Sequence, residues 1–516
     1  MRGEEKGEPA TAPPVATRSV LDGWRPTLVM GMLTALAVLI VWGSLNPVPV
    51  MHDEWAYWLQ ADQYAHLHWK TASPPAPEFF EQLYVLVTPV FAAKYPPGYA
   101  MMLAPGFALG MSALMPLLAA GLTGALVFAL ARRIAGGLTG ALTWILWLGT
   151  FGNLRFRAAY FSETTTSLCW LAAWWALLEW RATRRTRWMV LLAVAVGWGA
   201  ITRPATMFVF AIPVGVVVLR DAFAAKRWRD LAIGVLAGTL VLGILPLWSA
   251  GTTGSWRESP LALYTRQYLP FDIPGYAVND TPPQRALPAE MERVRSFLHD
   301  IKKDQAAMPF WVTALDRTWL LLRDSFGGWR IPFAFAFLLG LWALGATGWF
   351  ALGTSGLLIA AYLSQAHTAD WVVYYLEAMP AIAFTAALGA ARAIKSARVA
   401  GAPRWLTPAL AAVFAWLLAT DVTAARGTLA KISAEPRLFR EQVAQLPKKP
   451  NIVFVQYSPR RSMHIALVAN SGMLPDAESW IVHDRGADDL RLYALANGRT
   501  AYVFDERTGL FHEAKP

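Results

Sequence analysis

Cysteine and charge are scarce in this chain of 516 residues. Its single cysteine, Cys169, allows no internal disulfide, and the apolar residues around it indicate a small side chain packed in a hydrophobic segment. Charged residues make up only 16% of the chain, whereas apolar residues make up 55%. This balance argues against an ordinary soluble protein and favours one that crosses a membrane.

The usual sequence signatures of cofactor chemistry are also missing. The eight histidines show no metal-ligand spacing beside an acid. Glycine-rich loops of the kind that cradle nucleotide phosphates are absent as well. We therefore predict no metal, no cofactor and no nucleotide hydrolysis.

Hydrophobic windows recur along the chain, and its mean hydropathy is +0.35. The first window, near 28–42, holds no charge and lies behind a polar leader, so we expect it to remain as a helix rather than be cleaved. About eleven membrane spans are predicted in all. They lie near 27–45, 110–131, 136–152, 164–180, 188–201, 204–220, 230–248, 331–346, 349–364, 371–391 and 405–422.

Basic residues form short clusters between these windows, so the formal net charge of +11 gives no reason to expect nucleic acid as a partner. The clusters are Arg132 with Arg133; Arg181 with Arg184, Arg185 and Arg187; Arg220 with Lys226, Arg227 and Arg229; and Arg392 with Lys395, Arg398 and Arg404. Clusters in alternate short loops are typical of the cytoplasmic side. This rule puts the N-terminus in the cytoplasm and the C-terminus outside.

The predicted topology divides the chain into three parts. Residues 1–26 form a disordered cytoplasmic tail, 27–422 the membrane domain, and 423–516 a small outer α/β domain. In the membrane domain, outer loops cover 46–109 and 249–330. The second of these holds a mobile loop over 264–283 and an amphipathic helix over 287–301 that could lie over the bundle as a lid.

The outer α/β domain is predicted from its own local patterns. Strand character occurs at 451–457, 480–483 and 501–504, and a helix covers 488–497 before Gly498. Together with the hydrophobic spans, this gives an all-α polytopic membrane protein with a small α/β domain at its C-terminal end.

Chemistry is concentrated in the first outer loop. The acidic pair Asp53-Glu54 and the turn Lys94-Tyr-Pro-Pro-Gly-Tyr99 put carboxylates and a cation at a membrane surface. A carboxylate there can take a proton from an acceptor hydroxyl, and an ammonium can hold an anionic leaving group such as a lipid phosphate. The combination suggests glycosyl transfer from a lipid carrier.

Several segments together resemble the bacterial polytopic glycosyltransferases of the C-type fold. They are the acidic pair, the Lys94 turn, Tyr160-Phe-Ser-Glu163, Ile201-Thr-Arg-Pro204 and Tyr374-Tyr-Leu-Glu-Ala-Met-Pro380. That superfamily includes protein O-mannosyltransferases and the transferases that put aminoarabinose or galacturonate on lipid A. The resemblance covers roughly residues 27–395 and implies the C-type architecture.

The resemblance implies a role for individual residues. Asp53 matches the proposed base, Lys94 the cation that binds the carrier phosphate, and Glu163 a second acid. Arg203 lies at the outer end of a span and suits a phosphate. Arg155 and Arg157, in a neighbouring outer loop, are further candidates for the phosphate, and Tyr99, Tyr160, His367 and Tyr375 are candidates for binding substrate. The family's basic residue before the last tyrosine motif is replaced here by Val373 and Tyr374.

Simpler interpretations stay open for three of these residues. Glu54 is either a catalytic neighbour of Asp53 or only a helix-capping charge. Glu163 is either an acceptor-binding acid or a solvated acid at a helix start, where the helix dipole favours it. Arg203 either binds phosphate or extends to the membrane interface as a long basic side chain.

The predicted reaction moves a sugar from a polyprenyl-phosphate donor to a hydroxyl on a glycan, lipid or protein acceptor. Cations stabilise the departing phosphate, and a base on the opposite side activates the acceptor, so that the anomeric centre is inverted. We expect this at the outer face of the inner membrane, among membrane lipids. The alternative is a lipid or glycan transporter or flippase, which usually carries ionisable residues inside its spans or repeated halves.

Overall fold

The computed structural model describes residue 21 and residues 23–403, 405–459, 462–496 and 498–514. The helices are α1 (Trp24–Trp42), α2 (His52–Ala65), α3 (Gly98–Ala108), α4 (Leu114–Ala135), α5 (Gly137–Leu148), α6 (Phe151–Arg157), α7 (Glu163–Thr183), α8 (Thr186–Ala200), α9 (Pro204–Ala224), α10 (Trp228–Leu242), α11 (Ile244–Thr253), α12 (Pro260–Tyr268), α13 (Ala289–Ala307), α14 (Phe310–Phe326), α15 (Ile331–Leu341), α16 (Ala346–Tyr362), α17 (Met379–Val399), α18 (Leu406–Ala444) and α19 (Asp489–Leu495). The strands are β1 (Thr71–Ala72), β2 (Val85–Leu86), β3 (Val90–Ala93), β4 (Asn451–Gln456), β5 (Ser479–His483), β6 (Thr500–Asp505) and β7 (Leu510–Glu513).

Every predicted hydrophobic span overlaps a helix or a pair of helices. Within the described ranges, five helical segments are long and apolar enough to cross a membrane. They are Trp24–Trp42, Leu114–Ala135, Pro204–Ala224, Trp228–Thr253 and Leu406–Ala444. The protein is therefore a mostly helical membrane protein, and the count of eleven spans stays a prediction. The predicted tail over 1–26 lies outside the described residues except at its end, where α1 begins.

Small residues let the first two long apolar helices pack closely. A Cβ atom added to Gly31 of α1 would lie 3.0 Å from the Gly121 carbonyl oxygen of α4, and one added to Gly124 of α4 would clash with Thr34. Close approach of this kind is how helices pack in membranes. α1 then ends at Gly43, whose left-handed φ of 71° lets its N–H reach the Leu39 carbonyl.

The region predicted as the first outer loop, called the first outer region below, is built from α2, α3 and a small antiparallel sheet. The strand order of this sheet is β1-β3-β2. It lies next to a second sheet near the C-terminus with the order β5-β4-β6-β7, in which β4 pairs in parallel with β5 and β6, and β7 runs antiparallel to β6. The three strands predicted there are confirmed. β7 was not predicted, and α19 ends before the predicted helix end at 497, a residue outside the described ranges.

The two outer regions share one hydrophobic core. Leu59, Phe79 and Phe80 from the first region pack with Phe454 and Trp480 from the second sheet. The rings of Phe80 and Trp480 meet edge to face at 5.4 Å. The C-terminal sheet therefore rests on the first outer region, and α18 runs without a break across the predicted boundary at 422.

The long loop before α15 contains more helix than the sequence indicated. The helix predicted over 287–301 is confirmed as α13, and its role as a lid stays a prediction. The predicted mobile loop over 264–283 is wrong at its start, because α12 extends to Tyr268. Tyr264 and Tyr268 stack at 4.4 Å and are fully buried, so packing holds this turn in a helix.

Candidate active site

A cavity of about 480 Å³ lies where the outer loops meet the helix bundle. Its volume is in the range of sites that bind small ligands. Its charged lining residues are the acids Asp53, Glu163, Asp272 and Asp370 and the cations Lys94, Arg155, Arg203 and Lys302. Five of these were predicted as site residues from the sequence: Asp53, Lys94, Arg155, Glu163 and Arg203. Folding brings them together although they are far apart in the chain.

Asp53 lies in the first turn of α2 with its carboxyl at the cavity wall. The Tyr95 hydroxyl donates a hydrogen bond to Asp53 Oδ1. Burial raises the pKa of the Asp53 carboxyl above its usual range, and the Tyr95 hydroxyl and the Lys94 ammonium oppose this shift. The result is a carboxylate that is more basic than an exposed aspartate and is held by a defined partner.

Lys94 lies in a cage of tyrosine rings. Its Nζ lies 4.4 Å from the ring centroid of Tyr84, 5.1 Å from that of Tyr264 and 5.4 Å from that of Tyr95. The same atom lies 3.4 Å from Asp272 Oδ2. Aromatic faces stabilise a cation whose water has been removed, so the cage keeps a buried ammonium at the cavity wall.

The turn that carries Lys94 is fixed against the turn that carries Arg203. The Gly98 N–H donates to the Ile201 carbonyl at 2.9 Å. A Cβ atom on Gly98 would clash with Thr202 Oγ1, so only glycine allows this approach. The two cations therefore have a fixed separation although more than a hundred residues lie between them in the chain.

Glu163 and Arg203 form an ion pair at the cavity wall. Arg203 also donates to the Tyr362 hydroxyl at 2.8 Å, and that hydroxyl lies 2.6 Å from Thr206 Oγ1. Both charged side chains are largely buried. The structure therefore does not support the interpretations of Glu163 as a solvated acid and of Arg203 as a chain extended to the interface.

Arg155, on α6, is the lining cation without a fixed partner. Among the described residues, no hydrogen bond or ion pair holds its guanidinium, which rests over the Phe156 ring at 5.2 Å. Burial lowers the pKa of the Arg155 guanidinium, and the charges of Glu54 and Asp370 oppose that shift. An anion entering the cavity would find Arg155 available.

Glu54 and Arg157 lie behind the cavity wall. Glu54 Oε1 accepts the N–H groups of Val50 at 3.3 Å and Met51 at 3.1 Å, and its Oε2 accepts that of Tyr160 at 3.1 Å. Glu54 therefore caps α2 and joins it to the chain before α7. Arg157 is fully buried over the Trp147 ring. Neither residue is among the described residues that line the cavity.

The four predicted substrate-binding residues are likewise not among the described lining residues. Protein groups already bind three of them: the Tyr160 hydroxyl donates to the Pro47 carbonyl at 3.0 Å, and His367 Nε2 lies 3.0 Å from the Tyr375 hydroxyl. Tyr99 is buried edge to face against Tyr57. Burial, followed by the charge of Arg317, lowers the pKa of His367 to about 3, so this imidazole is neutral.

Sequence analysis missed part of the wall. The cage residues Tyr84 and Tyr264, together with Asp272 and His464, have no local motif that marks them. His464 comes from the C-terminal region, where its ring lies 5.5 Å from that of Phe297 on α13. Tyr95 could have been found, because it follows Lys94 directly. The others are assembled only by tertiary contacts.

No protein-family model and no curated protein matches this sequence. The fold is that of the polytopic C-type glycosyltransferases. The crystal structure of ArnT from Cupriavidus metallidurans bound to undecaprenyl phosphate superimposes with a TM-score of 0.50 over 94% of each chain, at 15% identity.

Two further solved structures align less closely. An Archaeoglobus fulgidus oligosaccharyltransferase tethered with an acceptor peptide has a TM-score of 0.45 and 13% identity, over 84% of this chain and 62% of its own. The arabinofuranosyltransferase AftD from Mycobacteria has a TM-score of 0.42 and 13% identity, over 93% of this chain and 35% of its own.

Proposed function

We propose that this protein is a membrane glycosyltransferase that moves a sugar from a polyprenyl-phosphate donor to an acceptor hydroxyl, with Asp53 as the base. One observation carries the proposal. In a C-type fold, the partly buried Asp53 carboxyl lines the same cavity as Lys94, Arg155 and Arg203. A base and several cations around one space are what transfer from a phosphate leaving group requires.

The acceptor side of the reaction is assigned to Asp53. Its carboxylate takes the proton of the acceptor hydroxyl as that oxygen attacks the anomeric carbon of the sugar. The bond from this carbon to the phosphate oxygen breaks, and the polyprenyl phosphate leaves as an anion. Attack from the side opposite the leaving group inverts the anomeric centre.

The donor side is assigned to the cations. Lys94 and Arg203 each already have an acidic partner, Asp272 and Glu163, so they bring little net charge to a phosphate. Arg155 has no such partner among the described residues and supplies the uncompensated charge. A guanidinium can also donate two parallel hydrogen bonds to a phosphate.

A lipid-linked donor fits the surroundings of the cavity. Apolar helices such as α1 and α4 are long enough to span a bilayer, and the ArnT structure contains undecaprenyl phosphate. We place the cavity and the 423–516 domain on the outer face of the inner membrane, because the arginine clusters assign the opposite loops to the cytoplasm. The membrane domain then covers 27–422.

The test is the Asp53→Asn variant in nanodiscs, assayed with a panel of polyprenyl-phosphate sugars. We expect turnover to fall about 100-fold or more, because a general base contributes factors of that size, while donor binding is retained. Asp476→Asn, in an exposed 3-10 turn of the C-terminal region, is the matched control. Near-native turnover in Asp53→Asn would remove Asp53 from the mechanism.

One observation favours the transporter alternative. Glu377, two residues before α17, is buried, and both its carboxylate oxygens lack a hydrogen bond among the described residues. Unpaired acids inside a helix bundle often mark an ion or substrate path. Vesicles loaded with a fluorescent polyprenyl phosphate separate the two functions, since a transferase gives glycosylated product without moving the lipid between leaflets.

A further inference from the structure

A second cavity lies beside the first and shares part of its wall. It has a volume of about 720 Å³ and lies between α12 and the loop before α13. Asp272, Ile273 and Gln365 line both cavities. We call this second space the outer cleft. A molecule bound in it would lie directly against the wall that holds the Asp272 partner of Lys94.

Neutral hydrogen-bonding groups dominate the polar lining of the outer cleft. They are Ser259, Thr265, Asn279, Thr281, Gln284 and Gln365. Arg266 is the one cation among the described lining residues, and Glu258 pairs with it at 2.6 Å. Asp272 is likewise paired with Lys94. Ser259 Oγ accepts the Ala262 N–H, and the Asn279 side chain donates to the Pro270 carbonyl and accepts the Thr281 N–H. The cleft therefore offers mainly the side chains of Thr265, Thr281, Gln284 and Gln365, without an uncompensated charge among its described residues.

The loop that forms the cleft is held in place although it has little regular structure. Lys302 of α13 donates to the carbonyls of Ile273, at 2.8 Å, and Gly275. The Gly275 N–H donates to the Ser364 carbonyl at 2.8 Å, and the Tyr276 hydroxyl to the Leu363 carbonyl at 3.0 Å. A pre-formed loop loses less conformational freedom when a ligand binds.

We propose that the outer cleft binds the acceptor and that this acceptor is a neutral, hydroxyl-rich glycan. Hydroxyl and amide side chains match sugar hydroxyls, and Pro270, Pro274 and Pro282 can pack on sugar C–H faces. An anionic lipid or an acidic glycan would need a free cation, which the cleft does not offer among its described residues. The shared wall would direct a glycan end towards Asp53. The transfer step, but not the binding site, rests on the proposed function.

Binding to immobilised oligosaccharides tests the site without turnover. Full-length protein in fluorescent nanodiscs is applied to maltotriose, mannotriose and chitotriose, with trigalacturonate, lipid A and a serine-rich peptide as the competing classes. We expect retention on at least one neutral trisaccharide. Gln284→Leu and Thr265→Val should weaken that retention at least threefold, whereas Gln445→Leu, an exposed glutamine at the end of α18, should not.

The outcomes separate this proposal from the proposed function. Asp53→Asn should keep glycan binding, because it removes a base and not the cleft. Glycan binding without transfer from any donor would overturn the transferase and leave the cleft assigned. Retention only on trigalacturonate, lipid A or peptide, equal retention by the cleft variants and the control, or no retention at all would overturn the glycan cleft.

Discussion

At the scale of single residues, Asp53, Lys94 and Asp272 form a chain of opposite charges in the candidate site. The Tyr95 hydroxyl and the Lys94 ammonium both favour the ionised form of Asp53, while burial opposes it. Asp272 in turn partly neutralises Lys94. Because burial raises the pKa of this base, the rate of the proposed reaction should begin to fall at a higher pH than it would with an exposed aspartate as the base.

Tyr95→Phe tests this balance directly. The hydroxyl lowers the pKa of Asp53, so its removal should raise that pKa and move the acidic limb of the pH–rate profile to higher pH. The rate at the plateau above the limb should stay close to that of the parent. Tyr493→Phe, on α19, is the control. An acidic limb at the same pH in both variants would show that Asp53 does not set it.

Glu54 should behave differently from its neighbour Asp53. Its two oxygens accept three backbone N–H groups, and glutamine can replace only one of these oxygens. We expect Glu54→Gln to cost about 1–3 kcal/mol of stability through an unpaired buried donor, with kcat little changed in the molecules that remain folded.

The measurement for Glu54→Gln is the thermal unfolding midpoint in nanodiscs at pH 8. Burial raises the pKa of the Glu54 carboxyl to about 7, against the opposing effect of the N–H groups, so at pH 8 the parent is ionised and accepts all three bonds. Glu441→Gln changes an exposed acid on α18. Equal midpoints for the two variants would contradict a structural role for Glu54.

At the scale of elements, α13 is the support of the outer cleft. Its Lys302 is buried and directed at two carbonyls of the loop, whereas the next residue, Lys303, is half-exposed and pairs with Asp280 at 3.4 Å. These two adjacent lysines on one helix make different contacts. Comparing variants of the two therefore isolates the effect of the hydrogen bonds from Lys302 to the loop carbonyls.

Lys302→Met should loosen the loop, because the carbonyls of Ile273 and Gly275 lose their donor. Hydrogen–deuterium exchange of backbone amides over 272–283 should become at least several-fold faster than in the parent, without a change in the α1 and α4 peptides. Lys303→Met should leave this exchange close to the parental rate. Equal protection of the loop in both variants would show that other contacts hold it.

At the scale of the whole molecule, the C-terminal region packs against the segment that carries Phe79 and Phe80 and is not a detached tail. Its sheet shares a core with Phe79 and Phe80, and His464 lines the main cavity. The cavity and the C-terminal sheet must therefore lie on the same side of the membrane, whichever side that is.

Membrane topology can be tested by labelling single introduced cysteines. Cys169 is buried, so its own reaction with a thiol reagent should give little background labelling. Leu510→Cys, on β7, is exposed and should react with an impermeant thiol reagent when only the outer membrane is permeable. Ala182→Cys, exposed at the end of α7 beside an arginine cluster, should react only after lysis of the inner membrane. The reverse pattern would invert the proposed orientation.

Local patterns in the sequence were enough to predict the helices of the bundle and three strands of the C-terminal sheet. Hydrophobic windows predicted the helices of the bundle, and short segments of strand character predicted β4, β5 and β6. The acidic pair and the Lys94 turn pointed to Asp53 and Lys94. These features depend on neighbouring residues, since a long apolar run favours a helix in lipid wherever the rest of the chain lies.

Tertiary structure alone decided which groups meet. The tyrosine cage and Asp272 around Lys94, the Glu163–Arg203 pair and the arrival of His464 join residues from distant segments, and no local signal marks such partners. Tertiary contacts also engage Tyr99, Tyr160, His367 and Tyr375 with other protein groups, and none of the four is among the described residues that line the cavity. A side chain's role in a buried site depends on which charges and donors surround it once water is excluded, and the fold sets those surroundings.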